Sequence, residues 1–375
     1  MQNIVVKEVI SPSDLKTFVY LSEKIHEKRA NWVPPIYSDE WIFFDHKKNP
    51  AYEVADTILF LAYINNQAVG KIMGIIHREY NELQQTKEAR FFHLDSIEDI
   101  EVVKMLINAV QSWAKNQQME TLVGPFGFSD KDPQGFQIEG FEHLPVIATA
   151  TNPPYLPQFL EKLGFNKLTD CVVYKIDIPA EIPLFYQRIF DRAQRNSKIK
   201  LLNFTSKKEL KPYVVPIFRL VNETYKDLLG FVPLSEAEMQ KIAKSYLPIL
   251  DPDFVKIIVD EKNEPIAFVV GLPDMSKGLK KARGRLFPFG FIHILLDARN
   301  NKQLDLLLGA VKPNYRGLGL TTLLGVSMIQ AAQKRKMEFM DTHLVLETNH
   351  TMRGEAEKLN GEVYKKYRIF QKAIL

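Results

Sequence analysis

One cysteine, Cys171, is all that 375 residues contain. An internal disulfide is therefore excluded, as is any cysteine-based metal site, and the composition suits a reducing compartment. Nowhere does the chain approach the roughly 18 uninterrupted apolar residues of a membrane span. Its first residues, Met1-Gln2-Asn3-Ile4-Val5-Val6-Lys7-Glu8, lack the basic start and apolar stretch of a signal peptide. A cytoplasmic location is expected, with any membrane contact peripheral. Net charge is only +4, and no Lys/Arg run interleaves with aromatics, so no nucleic-acid partner is expected. A Gly-Lys-Ser or Gly-Lys-Thr tripeptide is missing, which removes the nucleoside-triphosphatase reading. No carboxylate pair, Ser-His-Asp arrangement or His-based metal spacing stands out, and no metal is expected.

What the chain does have is enough apolar material, 46% hydrophobic and 11% aromatic, to bury two cores. Length alone predicts about two domains. The most informative stretch is residues 306–324. An apolar run, Leu306-Leu307-Leu308-Gly309-Ala310-Val311, reads as a buried strand; Lys312-Pro313-Asn314-Tyr315-Arg316-Gly317-Leu318-Gly319 reads as a turn. From Leu320 an amphipathic helix carries Leu320, Leu324, Met328 and Ala331 on one face. Gly317 and Gly319 let the backbone turn sharply and approach a ligand. The first helical turn beyond them offers free N–H donors and the positive end of a dipole. With Arg316 adding a fixed cation, a pyrophosphate is the ligand this turn fits.

After that helix come an apolar strand at 342–346, then Glu347-Thr348-Asn349, a helical segment, Asn360-Gly361 and a closing strand through Tyr367-Arg368-Ile369-Phe370. This order resembles the second half of a GNAT-superfamily acyltransferase. The superfamily's phosphate motif, Arg or Gln, two residues, Gly, one residue, Gly or Ala, falls on Arg316, Gly319 and Thr321. Thr321 departs from the last place but keeps its backbone N–H and adds a hydroxyl donor. The resemblance implies a mixed α/β protein with a twisted mixed sheet flanked by helices, and acyl-CoA as a substrate. Arg316, Gly317, Leu318, Gly319, Leu320 and Thr321 would cradle the pyrophosphate. Main-chain groups near Ala310 and Val311 would meet the pantetheine arm where two central strands, 304–311 and 342–346, splay apart.

The same plan occurs twice. Hairpin-like runs at 57–64 and 68–76 around Asn65-Asn66-Gln67 are matched by 254–259 and 265–270 around residues 260–264. An offset of 197 residues relates Asn66 to Asn263 and Asn152 to Asn349, and Gly164 to Gly361. A tandem duplication follows, with a boundary in Ile178-Pro179-Ala180-Glu181-Ile182-Pro183: residues 1–180 form one GNAT-like domain, 181–375 the other. In the first copy the phosphate turn aligns with Glu98-Asp99-Ile100-Glu101. Three carboxylates repel a phosphate, and Ser96 with Asp99 reads as an internal cap, so only the second copy is expected to hold CoA.

The resemblance implies direct attack of an amine on a thioester, which needs a neutral amine, an oxyanion donor and a proton for the thiolate. Glu347, ending the second central strand, is a candidate base or amine ligand; a salt-bridged surface glutamate is the alternative. Asp305 and His293 are other bases, the latter read as lying in an apolar strand. Asn349 is the motif's asparagine. The tyrosine that many relatives carry seven places after it is replaced by Ala356, leaving Tyr364 or Tyr367 as acid, or none, since thiols leave readily at a pKa of about 8.5. Some tandem relatives use long-chain acyl-CoA, protein N-myristoyltransferases and proposed bacterial ceramide-forming enzymes among them, which points to a lipid or long-chain amine acceptor. A non-catalytic acyl-CoA or lipid sensor is the alternative, favoured by Thr321 and Ala356.

Two further features stay open. The turn-rich stretch 124–142, with four phenylalanines, and the aromatic segments at 31–35 and 39–44 either pack between domains or line an apolar pocket. The basic run 276–285 is a solvated loop, or it meets an anionic head group or the nucleotide phosphate of CoA.

Overall fold

A computed structural model describes residues 3–374. Among them, fourteen strands form one twisted mixed sheet flanked by helices: β1 (Ile4–Glu8), β2 (Ala55–Ile64), β3 (Gln67–His77), β4 (Glu88–Ser96), β5 (Thr121–Gly124), β6 (Phe136–Glu139), β7 (Asn166–Asp177), β8 (Ile199–Leu202), β9 (Val255–Asp260), β10 (Pro265–Pro273), β11 (Gln303–Val311), β12 (Phe339–Asp341), β13 (Val345–Leu346) and β14 (Glu362–Ala373). The order across the sheet is β1-β2-β3-β4-β5-β14-β7-β12-β11-β10-β9-β8, with β6 beside β14 and β13 beside β7.

Local chemistry explains the recurring pieces. Asn65 and Asn66 both adopt positive φ, 49° and 64°, the conformation a two-residue hairpin loop demands, and β2 and β3 pair around them. The helix Ile100–Asn116 buries Val102, Val103, Leu106, Ile107, Val110 and Ala114, a stripe at helical spacing laid on the first part of the sheet. The helix Leu320–Lys334 buries Leu320, Leu324, Met328 and Ala331, the face expected from sequence. Each such leucine contributes about 1.5–3 kcal/mol of gross hydrophobic free energy.

In both halves a central strand runs antiparallel to one neighbour and parallel to the other: β4 between β3 and β5, β11 between β10 and β12. The parallel contacts are short. β11 meets β12 only at Gln303, Leu304 and Asp305, and from Leu306 onward the two strands part. Of the strand expected at 342–346 only β13 forms, with β12 lying before it, because His343 adopts a left-handed φ of 56° while its N–H bonds the Asp341 carboxylate at 2.6 Å. Residues around His293, read as a strand, form the helix Gly290–Asn300. A short apolar run does not by itself separate the two, and Gly290, fitted beneath the Arg285 carbonyl, starts the helix.

The 178–183 connector follows β7 and precedes the helix Leu184–Gln194, but the sheet does not divide there. β14, the last strand in sequence, is inserted between β5 and β7, and β7 in turn pairs with β12 and β13. Each half thus completes its sheet with a strand adjoining the other. Removing β14 would expose the ladder edges of β5 and β7 together with the cavity left by Tyr367, Ile369 and Phe370, all fully buried. A chain ending at Asn360 is therefore expected to lose cooperative unfolding and near-ultraviolet dichroism. Retention of a sharp urea transition at the parent midpoint would contradict this placement.

Candidate functional site

The turn between β11 and the helix Leu320–Lys334 is built as the glycine spacing demands. Gly317 and Gly319 both sit at φ 79°, a left-handed conformation that glycine adopts without a Cβ penalty. Gly319 is the helix N-cap and supplies no side-chain cap. Among the described residues, the amides of Gly317, Leu318, Gly319, Leu320, Thr321 and Thr322 have no protein acceptor; the first one engaged is Leu323 N–H, on the Gly319 carbonyl at 2.9 Å. Arg316 is exposed beside them, with Nε directed at the Val311 carbonyl at 3.4 Å.

Beyond Asp305 the edge of β11 turned away from β10 is free of strand partners. Backbone groups alternate sides along such an edge. Lys312 N–H donates inward to Ile266, whereas Gly309 faces outward, its carbonyl accepting from Tyr225 Oη at 3.0 Å. The ladder therefore turns Ala310 toward β10 and Gly309 and Val311 toward the gap, where Tyr225 Oη also accepts from the Gly309 N–H at 3.4 Å. From Val311 back to Asp305 the edge runs ~20 Å at ~3.3 Å per residue, the order of length of a phosphopantetheine arm.

At the closed end of the gap lies a buried polar cluster. Asp305 and Asp341, opposite one another in the β11–β12 register, are both sealed from solvent. Lys365 of β14 reaches across β7 to place Nζ 2.9 Å from Asp341 Oδ2, and Tyr364 donates its hydroxyl to the same oxygen. Gln303 Nε2 donates to Asp305 at 2.7 Å. Burial alone would lower the Lys365 pKa, but the adjoining Asp341 carboxylate reverses this and the net shift is upward. Asp305 has no such cation in contact. Burial, then the charges of Asp341 and Asp274, push it well above the usual carboxylate range.

His343 and Tyr367 complete the cluster. Burial lowers the His343 pKa against the opposing pull of Asp341 and of the Ala148 main chain, so the ring is held neutral. Three buried side-chain polar atoms lack a hydrogen-bond partner among the described residues, and two of them are His343 Nε2 and Tyr367 Oη. Each still has a polar neighbour from the first half: the Ala148 main chain beside the His343 ring and the Thr149 hydroxyl beside Tyr367. From the same half, the Leu144 carbonyl lies 3.5 Å from Lys365 Nζ.

The other sequence candidates lie elsewhere. Glu347 follows β13, several residues along β7 from Asp341, where it accepts from Lys167 Nζ at 2.8 Å and from the Asp170 amide at 3.0 Å. The Lys167 hydrogen bond is the main reason its pKa is lowered, which weakens it as a base. Asn349 caps the helix His350–Lys358 by accepting from Met352 N–H. Ala356 is the buried residue of that helix. Cys171 is sealed in β7 with its thiol pushed up to about 12 by burial, which rules out a ready nucleophile. Of the sequence-picked residues, Asp305 and Tyr367 converge, with Tyr364; Asp341, His343 and Lys365 join them unforeseen. Only the Asp341-Thr342-His343 sequence at the end of a central strand carried a hint. Among the described residues no group of three His, Cys, Asp or Glu could hold a metal ion.

In the first half the corresponding place is closed. The β4–β5 register puts Arg90 where the second half has Asp305, and Arg90 donates to the carbonyls of Gly127 and Phe128. Phe126 N–H bonds the Phe91 carbonyl at 2.9 Å, drawing the 124–128 loop into the gap between β4 and β5. The helix start is capped by Asp99, which accepts from Glu101 N–H at 2.9 Å, while Ser96 Oγ instead bonds the Ile97 carbonyl. The aromatic segments serve mostly as core here: Phe43, Phe44, Tyr52 and Phe128 pack on one another.

No family model matches the chain. It is 26% identical over 382 residues to "Protein YghO" of Escherichia coli, covering 98% of this chain and 95% of that one. It is 27% identical over 373 residues to "Bacterial ceramide synthase" of Caulobacter vibrioides, covering 98% and 96%. Among solved structures, a tandem GNAT protein from the clavulanic acid biosynthesis pathway superposes with a TM-score of 0.57 at 11% identity, over 100% of this chain and 99% of that one. A GCN5-related N-acetyltransferase from Sphaerobacter thermophilus gives 0.53 at 12%, over 99% and 96%. The fold is that of the GNAT superfamily.

Two consequences of the cluster are measurable. Asp341→Ala strands the buried Lys365 ammonium and is expected to lower unfolding free energy by about 3–5 kcal/mol in urea titrations. Because Asp305 holds its proton to higher pH in the native state than in the unfolded chain, its contribution to stability falls as pH rises above about 4. Asp305→Asn cannot ionise, so the variant should gain on the parent as pH is raised from there toward neutrality. A constant difference across that range would show that Asp305 does not titrate abnormally.

Proposed function

We propose that the chain is an acyl-CoA-dependent N-acyltransferase acting on a long-chain amine, with residues 181–375 supplying the coenzyme site and residues 1–180 a companion domain that does not bind CoA. The pyrophosphate is cradled by the amides of residues 317–322 with Arg316, and the pantetheine arm runs along the β11 edge at Gly309 and Val311. The reacting atoms lie over the cluster at the closed end. The single observation that carries this reading is the run of backbone amides from Gly317 to Thr322 without a protein acceptor, at a helix start whose counterpart in the first half is capped by Asp99.

In this reading the amine nitrogen attacks the thioester carbonyl, a C–N bond forms and the C–S bond breaks. His343, held neutral by burial, accepts the proton that the amine must lose. In this reading Tyr367 donates to the departing thiolate, while Asp305, whose pKa burial raises, closes the end of the gap. Glu347 and Asn349 act on structure instead, one pinning the end of β13 to β7 and the other starting a helix. The acceptor class draws on the relative named a bacterial ceramide synthase, whose similarity spans nearly the whole chain. A ceramide is an N-acylated long-chain amino alcohol, so the matching acceptor is a sphingoid-type amine.

Incubation with acetyl-, octanoyl- and palmitoyl-CoA and a sphingoid amine, read as free thiol and as amide mass, is expected to show turnover. His343→Gln should lower the rate about 10²–10⁴-fold with little change in coenzyme binding. Thr321→Glu places a carboxylate at a helix start, which favours the fold by about 0.3–1 kcal/mol, yet repels a diphosphate. It should weaken CoA binding in calorimetry without lowering the melting temperature. Tight CoA binding with no thiol release for any pair would replace this reading with a non-catalytic acyl-CoA sensor, and unchanged CoA affinity in Thr321→Glu would remove the cradle from this turn.

A further inference from the structure

Between β10 and β11 the chain makes a helical hairpin, Ser276–Lys281 packed on Gly290–Asn300, where the first half has only the short helix Arg78–Gln84 between β3 and β4. Its root is fixed. Ser276 Oγ donates to the Pro145 carbonyl at 2.6 Å, Tyr37 N–H to Gly284 at 3.0 Å, and Arg285 pairs with Glu23 at 2.9 Å. Gly278 lies directly against the backbone of His293 and Ile294, and its N–H is held by Asp297 at 2.6 Å. The outer face, by contrast, is apolar and open to solvent: Phe287 is 81% exposed, Phe289 68% and Leu295 61%, with Phe291, Ile292 and Leu296 beside them. Six large apolar side chains on one projecting element are not needed for this fold, and a contiguous patch of this kind marks an interaction surface.

The charges around the patch identify the partner. Residues 276–302 contain seven Lys or Arg against one acidic residue, Asp297, and that carboxylate is already engaged within the hairpin. Lys277, Lys281, Arg283 and Arg299 are exposed and form no ion pair among the described residues. Aromatic and aliphatic side chains ringed by cations fit an interface with acyl chains below and anionic head groups above. A second copy of the chain docking face to face would set the same cationic ring against itself, at a cost in repulsion. We infer that this hairpin seats the protein on an anionic lipid bilayer, with Phe287, Phe289, Leu295 and their neighbours inserted at the head-group level.

The position gives the docking a purpose within the acyl-transfer reading, on which that purpose alone rests. The hairpin springs from Asp274 at the end of β10, whose carboxylate accepts from Asn301 at 2.9 Å and adjoins Asp305 electrostatically. On that reading the docking delivers a lipid amine to the end of β10 that adjoins Asp305.

Sedimentation of the full chain with vesicles tests the inference independently of turnover. Binding is expected to equimolar phosphatidylglycerol and phosphatidylcholine, to weaken with salt, and to be feeble on phosphatidylcholine alone. Neutralising Lys277, Lys281 and Arg283 to Gln should weaken it by roughly fivefold per cation, about a hundredfold together. Phe287→Ser with Phe289→Ser should abolish retention, while circular dichroism and thiol release with a water-soluble amine stay at parent levels. Vesicle binding unchanged in both sets of variants would overturn the proposal. So would a solution dimer that Phe287→Ser dissolves in a protein that binds no vesicles, which would assign the face to a second copy.

Discussion

A lysine ammonium with no access to water must be neutralised where it stands, and Lys365 has Asp341 for that purpose 2.9 Å away. Much of the architecture depends on this pair. Lys365 belongs to the last strand in sequence and Asp341 to the strand from which β11 diverges, so their attraction spans β7 and closes the sheet across its middle. It also orders the charges around it. Asp341 is committed to Lys365, Tyr364 and the His343 amide, which leaves Asp305 without a cation in contact and raises its pKa. A buried ion pair adds little net stability compared with well-packed apolar side chains. Its value here is positional: it fixes the vertex of the gap and, through Asp341, the main chain at His343.

The two halves illustrate how one strand arrangement is made open or closed by a few side chains. In the second half the gap ends on carboxylates, a neutral histidine and a buried tyrosine, and its far end is a glycine turn with free amides. The first half fills the same gap with Arg90 and the 124–128 loop, and spends its helix start on Asp99. Backbone donors that are already bonded cannot receive a phosphate. The first half instead contributes β7, the carbonyls of Leu144 and Pro145, and Thr149 to the surroundings of the second half's cluster, so it acts on the site as a wall.

Exposed apolar surface and sealed polar atoms are both departures from what folding alone favours, and they occur on either side of Asp274. One places hydrocarbon-seeking side chains on a rigid projection; the other leaves hydrogen-bond capacity unused in a dry interior.

Periodicity and turn chemistry made much of the fold readable in the sequence. The apolar alternation around Asn65-Asn66, the stripe Leu320, Leu324, Met328 and Ala331, and the glycines at 317 and 319 encode local geometry, and local geometry is set by residues within a few positions of one another. Asp305 and Tyr367 were legible as polar groups in strands. What the chain order could not disclose was the insertion of β14 between β5 and β7, because strand partners are chosen by complementarity across the sheet rather than by proximity in sequence. That insertion brings Lys365 to Asp341 and Tyr367 to Thr149, while the separate pairing of β13 with β7 ties Glu347 to Lys167. Burial and charge pairing, which decide every pKa in the site, come into being only when the distant segments meet.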